Sequence, residues 1–380
     1  MAGPLNGIRI IELAGIGPGP FAGMVLADLG AEVIRVERPG GNPGAAFGHD
    51  ILFRSRPSIA VNLKSAAGIE VVMRLVEGAD ALIEGNRPGV AERLGVGPDD
   101  CLARNPKLVY GRMTGWGQDG PLAQTAGHDI NYIALSGALD AIGRADSGPV
   151  PPLNLVGDFG GGAMMLVTGL LAAVLHAERT GAGQVVDVSM VEGASLLLSM
   201  QRAMATQGIW TDRRGGNLLD TGAFFYDVYE TADKKFVSIG SLEPQFYAEL
   251  VTRLDLADEL GAGQADPQRW PQLRARLAEV FASRTRDAWD VVFEGSDACY
   301  APVLSMAEAV DHPHNVARRS FVSVGDTMQP APTPRFSGTP ADDPRPADVP
   351  GGSTRTVLRD AGFTHDELDA LVVSGAIAQA

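Results

Sequence analysis

Short β-type runs and helical runs alternate without interruption over the first 115 residues: IRIIEL, FAGMVLADLG, EVIRVE, SIAVNL, AAGIEVVMRLVEGA, ALIEG and LVYGRMT. Strands separated by helices cannot pair as tight hairpins; each crosses over and returns parallel to its predecessor. The alternation therefore predicts an α/β fold, a Rossmann-like parallel sheet covered by helices. At 380 residues the chain exceeds what one hydrophobic core supports, and a second domain is expected. VVDVSMVEGASLLLSMQRAMA reads as a strand and one long apolar-faced helix, after which the texture changes. FFYDVYETADKKFVSIGSL places two β-runs around Ala232-Asp233-Lys234-Lys235, a hairpin, with helical patterns after it. These limits predict a larger domain over residues 1–205 and a smaller α+β domain over 215–305. Residues 320–352, rich in proline, glycine and aspartate, read as an extended strap.

Charge excludes several functions. A net charge of −15 and few arginine-rich stretches argue against a nucleic-acid or anionic-membrane partner. Cys101 and Cys299 form no disulfide framework and no C-x-x-C; both read as packed thiols in a reducing compartment. Neither MAGPLNGIRIIELAG nor AIAQA carries a recognisable targeting signal, so a cytoplasmic location is expected. FGGGAMMLVTGLLAAVL is too short and glycine-rich for a spanning segment and predicts a buried core helix. No G-x-S-x-G, G-K-[ST] or H-E-x-x-H occurs, and His312-Pro313-His314 has no acidic or thiol ligands beside it, so no metal is expected.

The candidate functional residues sit at the ends of these elements. AGIGPGPFAG resembles a nucleotide-binding turn, but Gly15, Gly17 and Gly19 have the wrong spacing, and Pro18 and Pro20 remove donors. It reads either as a tight turn or as a contact for a nucleotide-like ligand. Arg38, just after the second strand, suits a phosphorylated ribose, which means NADP or coenzyme A, or is a solvated rim charge. Arg87 and Arg93 follow another strand at the edge where open α/β sheets bind ligands; with Arg38 they could hold phosphates. Asp158 precedes a helical run, an N-cap position, and Gly160-Gly161-Gly162 would let a ligand approach the backbone. Glu243 precedes Pro244 at a helix start. His128 opens AGHDINYIALSGALDAIGR; a first helical turn favours the neutral ring, a proton acceptor.

In combination, PLNGIRIIELAGIGPGPFAGMVLADLGAEVIRVERP, LIEGNRPGVAERLG, GWGQDGPLAQTAGHDINYIALSGAL, PPLNLVGDFGGG and GAGQVVDVSMVEGA resemble the family III CoA-transferase superfamily over about residues 3 to 340. Two features match its racemase branch: the histidine in GHDINY and the glutamate in LEPQFY. The resemblance implies His128 and Asp158 as acid/base residues on the two faces of a 2-methylacyl-CoA α-carbon, with Glu243 supporting His128. Donors at Asp158-Phe159-Gly160 would stabilise the enolate. It implies Arg38, Arg87, Arg93, Gly127, Asp129, Asn131 and Tyr132 as CoA contacts, with coenzyme A as part of the substrate and no separate cofactor. It also implies an interlocked homodimer whose larger domain uses both chain ends, so that residues 320–380 return to it. The runner-up is a CoA-transferase with Asp158 as nucleophile; the third reading is a non-catalytic acyl-CoA-binding protein. GGNPGAAFGHD and the tail beyond about residue 340 are not matched, which leaves open what covers the adenosine.

Overall fold

The computed structural model describes residues 2–41 and 49–380, so most of GGNPGAAFGHD lies outside the described residues. The chain forms two compact units. The first comprises Met1–Ser136, Leu153–Leu197 and Arg318–Ala380; the second comprises Gly137–Pro152 and Leu198–Ala317.

The first unit is built on a seven-stranded sheet. Its strands are β1 (Arg9–Leu13), β2 (Glu32–Glu37), β3 (Ser58–Val61), β4 (Ala81–Glu84), β5 (Val109–Thr114) and β6 (Gln184–Ser189), with a final strand from residues 377–378. In space β3, β2, β1, β4, β5 and β6 run side by side, all parallel. Neighbouring residues on a strand face opposite sides, and helices cover both, so β1 to β5 are buried along nearly their whole length, whereas the edge strand β6 begins exposed. Ile11, Ile34 and Leu82 pack on Val72, Leu75 and Val76 of the helix Ala66–Glu77. Ser65 caps that helix by accepting the Gly68 N–H at 3.0 Å. Ile10, Val33 and Ile83 pack on the opposite side with Leu26 of the helix Pro18–Asp28 and Leu166 and Leu170 of the helix Met164–Thr180. The latter helix is buried along one face only; Met164 and Leu175 are exposed, which corrects the expectation of a buried core helix.

A network of charges is buried beside β1–β3. Arg35, Arg54 and Arg56 are almost inaccessible, and so are Glu12, Asp28 and Glu37. Arg56 pairs with Glu12; Arg35 with Glu37 at 2.7 Å; Arg54 with Asp28 at 2.5 Å. The Arg35 and Arg56 guanidinium groups lie 4.1 and 5.4 Å from the Phe53 ring centre. Arg54 also donates to Gln329 Oε1 at 3.2 Å and to the Pro330 carbonyl at 2.8 Å. Glu37 is thus occupied within the fold, while Arg38 after it is exposed.

In the second unit, β7 (Tyr226–Glu230) and β8 (Phe236–Gly240) form the expected hairpin, and β9 (Tyr300–Val303) adds a third antiparallel strand. Phe224, Phe225, Tyr247, Phe281 and Trp289 fill the core beneath them. Residues 137–152, placed by the sequence in the larger domain, cluster here instead. Arg144 reaches Asp227 on β7 at 2.7 Å, and Arg274 binds the other oxygen of the same carboxylate at 3.0 Å. The unit also runs on to Ala317 rather than ending near 305.

Three more expectations are corrected. The single helix expected after β6 is two, Met190–Leu197 and Ser199–Thr206, divided where the chain passes from one unit to the other. The strap begins as a ribbon of β10 (Phe321–Val324) and β11 (Thr327–Pro330), because Gly325, at φ 58°, permits the reversal between them. Cys101 is packed, its thiol pushed up to about 12 by burial, but Cys299 is exposed. The chain then returns to the large sheet. Asp348 accepts the Ser58 N–H at 3.0 Å, Thr354 Oγ1 accepts the Ala60 N–H at 3.0 Å, and β12 (Ile377–Ala378) pairs antiparallel with β3.

Asp158 is not an N-cap. It lies inside a π-helical segment, Leu155–Ala163, that runs directly into Met164–Thr180. The glycines after it serve helix packing. A Cβ on Gly161 would stand 2.5 Å from the Ala194 nitrogen, and one on Gly193 would stand 1.8 Å from the Gly161 carbonyl oxygen. Backbone therefore touches backbone where the wide π turns meet Met190–Leu197. Gly193→Ala is expected to destabilise the protein by about 1–3 kcal/mol or prevent folding, because no side chain can yield there. Gly338→Ala, which meets nothing within 4 Å, should leave the thermal midpoint unchanged. Thermal unfolding of the two variants checks this.

Candidate active site

The carboxyl ends of β1, β4, β5 and β6 converge on a cavity of about 400 Å³. Strand order reverses between β1 and β4, and the crevice that such a reversal opens is where open α/β sheets hold ligands. Ile16, Gly17 and Pro18 follow β1, Gly85, Arg87 and Pro88 follow β4, Gly115 and Trp116 follow β5, and Met190 follows β6. Gly127, His128, Tyr132 and Asp158 complete the wall.

The segment after β5 is shaped by one aromatic pair. Tyr132 is buried, meets Trp116 edge to face at 4.8 Å, and donates its hydroxyl to the Gly127 carbonyl. A Cβ on Gly115 or Gly127 would stand 2.1 or 2.7 Å from the Tyr132 ring. Those two glycines make room for the ring, and burial pushes its hydroxyl up to about 12. His128 lies just outside the helix Asp129–Ser136, exposed, its N–H accepted by Asn131 Oδ1 at 3.0 Å. Asn131 thus fixes the backbone that carries His128.

Asp158 is half-buried. Asn154 donates to its Oδ2 at 3.2 Å, and a Cβ on Gly17 would lie 3.3 Å from that same oxygen. Gly17, at φ 66°, is therefore the point where the turn after β1 comes up against the carboxylate. Phe21 stacks on Phe159 at 4.3 Å and holds the two segments together. Burial raises the proton affinity of Asp158 above the usual carboxylate range; the Asn154 bond and the nearness of His128 work against the shift, and Asp129 adds to it.

The structure sorts the sequence-predicted residues. Gly127, His128, Tyr132, Asp158 and Arg87 line one cavity. Arg38 and Arg93 are exposed and do not line it; Arg38 donates to the Gly41 carbonyl at 2.6 Å. Glu243 belongs to the second unit, where it precedes the helix Pro244–Arg253 and is exposed. Asp129 turns inward: only 6% exposed, it accepts the Asp158 N–H on Oδ2 at 2.7 Å, so its side chain is committed within the fold. That bond corrects a further expectation. The Asp158 N–H is occupied by Asp129, and the Phe159 N–H bonds the Asn154 carbonyl at 3.3 Å, so neither is free for an enolate. Trp116 and Asn154 were missed; only the aromatic ring between two glycines in GWG hinted at the first.

Residues 5–354 match the profile of CoA-transferase family III. The chain belongs to this family. It is 46% identical to the alpha-methylacyl-CoA racemase of Mus musculus over 366 residues, covering 96% of this chain and 95% of the relative. The corresponding protein of Homo sapiens is 42% identical over the same shares. A Mycobacterium tuberculosis protein, Rv3272, is 29% identical and superposes with a TM-score of 0.78 over 93% of this chain and 98% of its own. This protein is therefore an enzyme of an acyl-CoA family, with the mixed α/β fold of its solved relatives.

The shift at Asp158 has a consequence for stability. The folded protein binds the Asp158 proton more tightly than the unfolded chain, so this group's contribution is full at low pH and lost as pH rises through the raised value. Asp158→Asn keeps an acceptor for Asn154 and abolishes the buried charge. Its thermal midpoint is expected to exceed that of the wild type at about pH 7, with the gain shrinking as pH falls through the carboxylate range. Calorimetry across that range checks the sign.

Proposed function

We propose that this protein inverts the α-carbon of 2-methylacyl-CoA thioesters by moving one proton off and another on. The observation that carries the reading is that a single cavity holds both His128 and Asp158, in a chain close in sequence to alpha-methylacyl-CoA racemases along nearly its whole length. One base takes the α-proton; the C–H electron pair moves into an enolate on the thioester. The other residue, in its acid form, returns a proton to the opposite face, and the two end with exchanged protonation states. Each then works in the reverse direction. Asp158, with its raised proton affinity, suits both duties, since it is a better proton acceptor when ionised and is protonated nearer to neutral pH. The Asp158 and Phe159 N–H groups are occupied, and those of Asn131 and Tyr132 bond the His128 carbonyl at 2.8 and 3.3 Å, so the enolate oxygen is served by the first two N–H groups of the helix Asp129–Ser136, those of Asp129 and Ile130. Arg87 in the cavity, with Arg38 and Arg93 beyond it, binds the CoA phosphates. The chemistry requires no metal and no nicotinamide.

In this reading the working enzyme is an interlocked homodimer in which Glu243 of one chain supports His128 of the other. Support comes from apolar side chains left in water on the first unit. Leu135 is 60% exposed, Leu153 75% and Leu196 59%, with Leu155 and Leu197 near them in sequence and also exposed. Residues of this kind in such numbers mark a surface that another molecule covers.

Incubation with a 2-methylacyl-CoA in D₂O should give exchange of the α-proton without any acceptor acid. His128→Ala and Asp158→Asn should each lose at least about 100-fold of that exchange while still binding acyl-CoA. Transfer of CoA to a free carboxylate, with no α-exchange, would instead favour Asp158 as a nucleophile. The shared site is tested by complementation. His128→Ala/Asp158→Asn chains co-expressed with Glu243→Ala chains should give about half heterodimers, each with one intact site of two, hence about a quarter of wild-type activity. Parents mixed after folding should stay at their own low levels. Equal activity in the two preparations would mean that Glu243 acts within its own chain or is not part of the site.

A further inference from the structure

Asp129 stands behind Asp158, and its chemistry is unusual for a side chain so deeply placed. One carboxylate oxygen, Oδ2, accepts the Asp158 backbone N–H at 2.7 Å. The other, Oδ1, is buried with no hydrogen-bond partner among the described residues. A buried carboxylate ordinarily has a cation or several donors to offset its desolvation. Here the available bond is spent on the backbone of the residue that faces the cavity. Gly157 has been left without a side chain to make room: a Cβ there would stand 2.6 Å from Asp129 Oδ2.

We infer that Asp129 is a positioning residue for Asp158, fixing its backbone through the hydrogen bond to its N–H and setting, through an unneutralised negative charge, the pH at which Asp158 gives and takes its proton. The charges around Asp158 leave that role open. His128, from the same helix start, pulls the other way, and Asn154 contributes a neutral donor. Tyr132 feels Asp158 and Arg87, but its hydroxyl is committed to Gly127. The turn after β1 brings Gly17 and Phe21 to Asp158 and Phe159, without charge. Asp129 is therefore the like charge that acts on Asp158, and it acts from a site with little water to screen it.

The inference rests on the proton-transfer reading above, and the experiment separates the two. Asp129→Asn keeps an oxygen for the Asp158 N–H and removes the charge; Asp129→Ala removes both. The pH dependence of kcat/KM for α-proton exchange and a carboxyl-carbon NMR titration of Asp158 are measured for wild type and Asp129→Asn. Both should move to lower pH in the variant, with kcat on the plateau within about threefold of wild type. Asp129→Ala should lose about 10- to 100-fold in kcat with KM little changed, because a small misplacement of a reacting group costs that much. Gly157→Ala, which crowds the same oxygen, should resemble it. If the Asp158 titration in Asp129→Asn superposes on that of wild type, the inference is overturned, whether or not the alanine variant folds. If Asp129→Asn moves the Asp158 titration to lower pH but wild type exchanges no α-proton, the inference stands and the racemase reading falls.

Discussion

Six neighbouring strands of the large sheet run in one direction, so their carboxyl ends all arrive at the same edge. A parallel sheet also needs apolar cover on both faces, which leaves that edge as the place where loops meet without being buried by helices. Because β1 and β4 are neighbours whose connections leave toward opposite sides, the loops after them separate and a crevice opens between. His128 and Asp158 come from segments that fill the rim of this crevice, thirty residues apart in sequence and linked by the hydrogen bond that the Asp158 N–H donates to Asp129. Remove the parallel arrangement and no cavity remains to be lined.

Three buried arginines and three buried acids beside β1–β3 contribute little net stability, since desolvation offsets most of their attraction. Burial lowers the proton affinity of Arg56 even with Glu12 against it. Their value is geometrical. A guanidinium with fixed donors cannot be satisfied by a shifted neighbour, and Arg54 at once engages Asp28 at the end of the first helix and Gln329 and Pro330 on β11. The network therefore ties the last sixty residues to the first sixty in one register. An apolar patch of the same volume would tolerate several.

The sequence was most legible where local pattern and final environment agree. Each βαβ unit could be read because its strands are rich in Val, Ile and Leu and its helices are apolar on one face, even though Glu12, Arg35 and Glu37 lie buried within β1 and β2. His128 and Asp158 stood out as titratable residues at helix boundaries, and both line the cavity. What could not be read depends on partners distant in the chain. The π turns around Asp158 arise from contact of Gly161 with Gly193 and Ala194, and the glycine triplet alone gives no sign whether a ligand or a helix comes close. Asp129 looks like any polar first-turn residue until Gly157 is seen beside it. Residues 137–152 carry the same texture as the segments around them, and long-range pairs, Arg144 with Asp227 and Arg214 with Asp140, hold them in the second unit. The third strand, β9, is four residues whose pairing with β8 no local signal announces.

The pairing of β12 with β3 has a temporal side. Val61 leaves the ribosome long before its partner Ile377 exists. At about 5–20 residues per second, the interval is on the order of 15–60 s. Throughout it the outer side of β3 is an open row of backbone donors and acceptors, the feature that invites pairing with other chains. A nascent chain of this protein thus carries its own unfinished sheet edge until β12 is made, and the sites for its late-arriving closure, Ser58 and Ala60, wait for Asp348 and Thr354. Completion of the sheet in the unit that holds the cavity waits for residues 348–378, although every residue lining the cavity, from Ile16 to Met190, is made well before them.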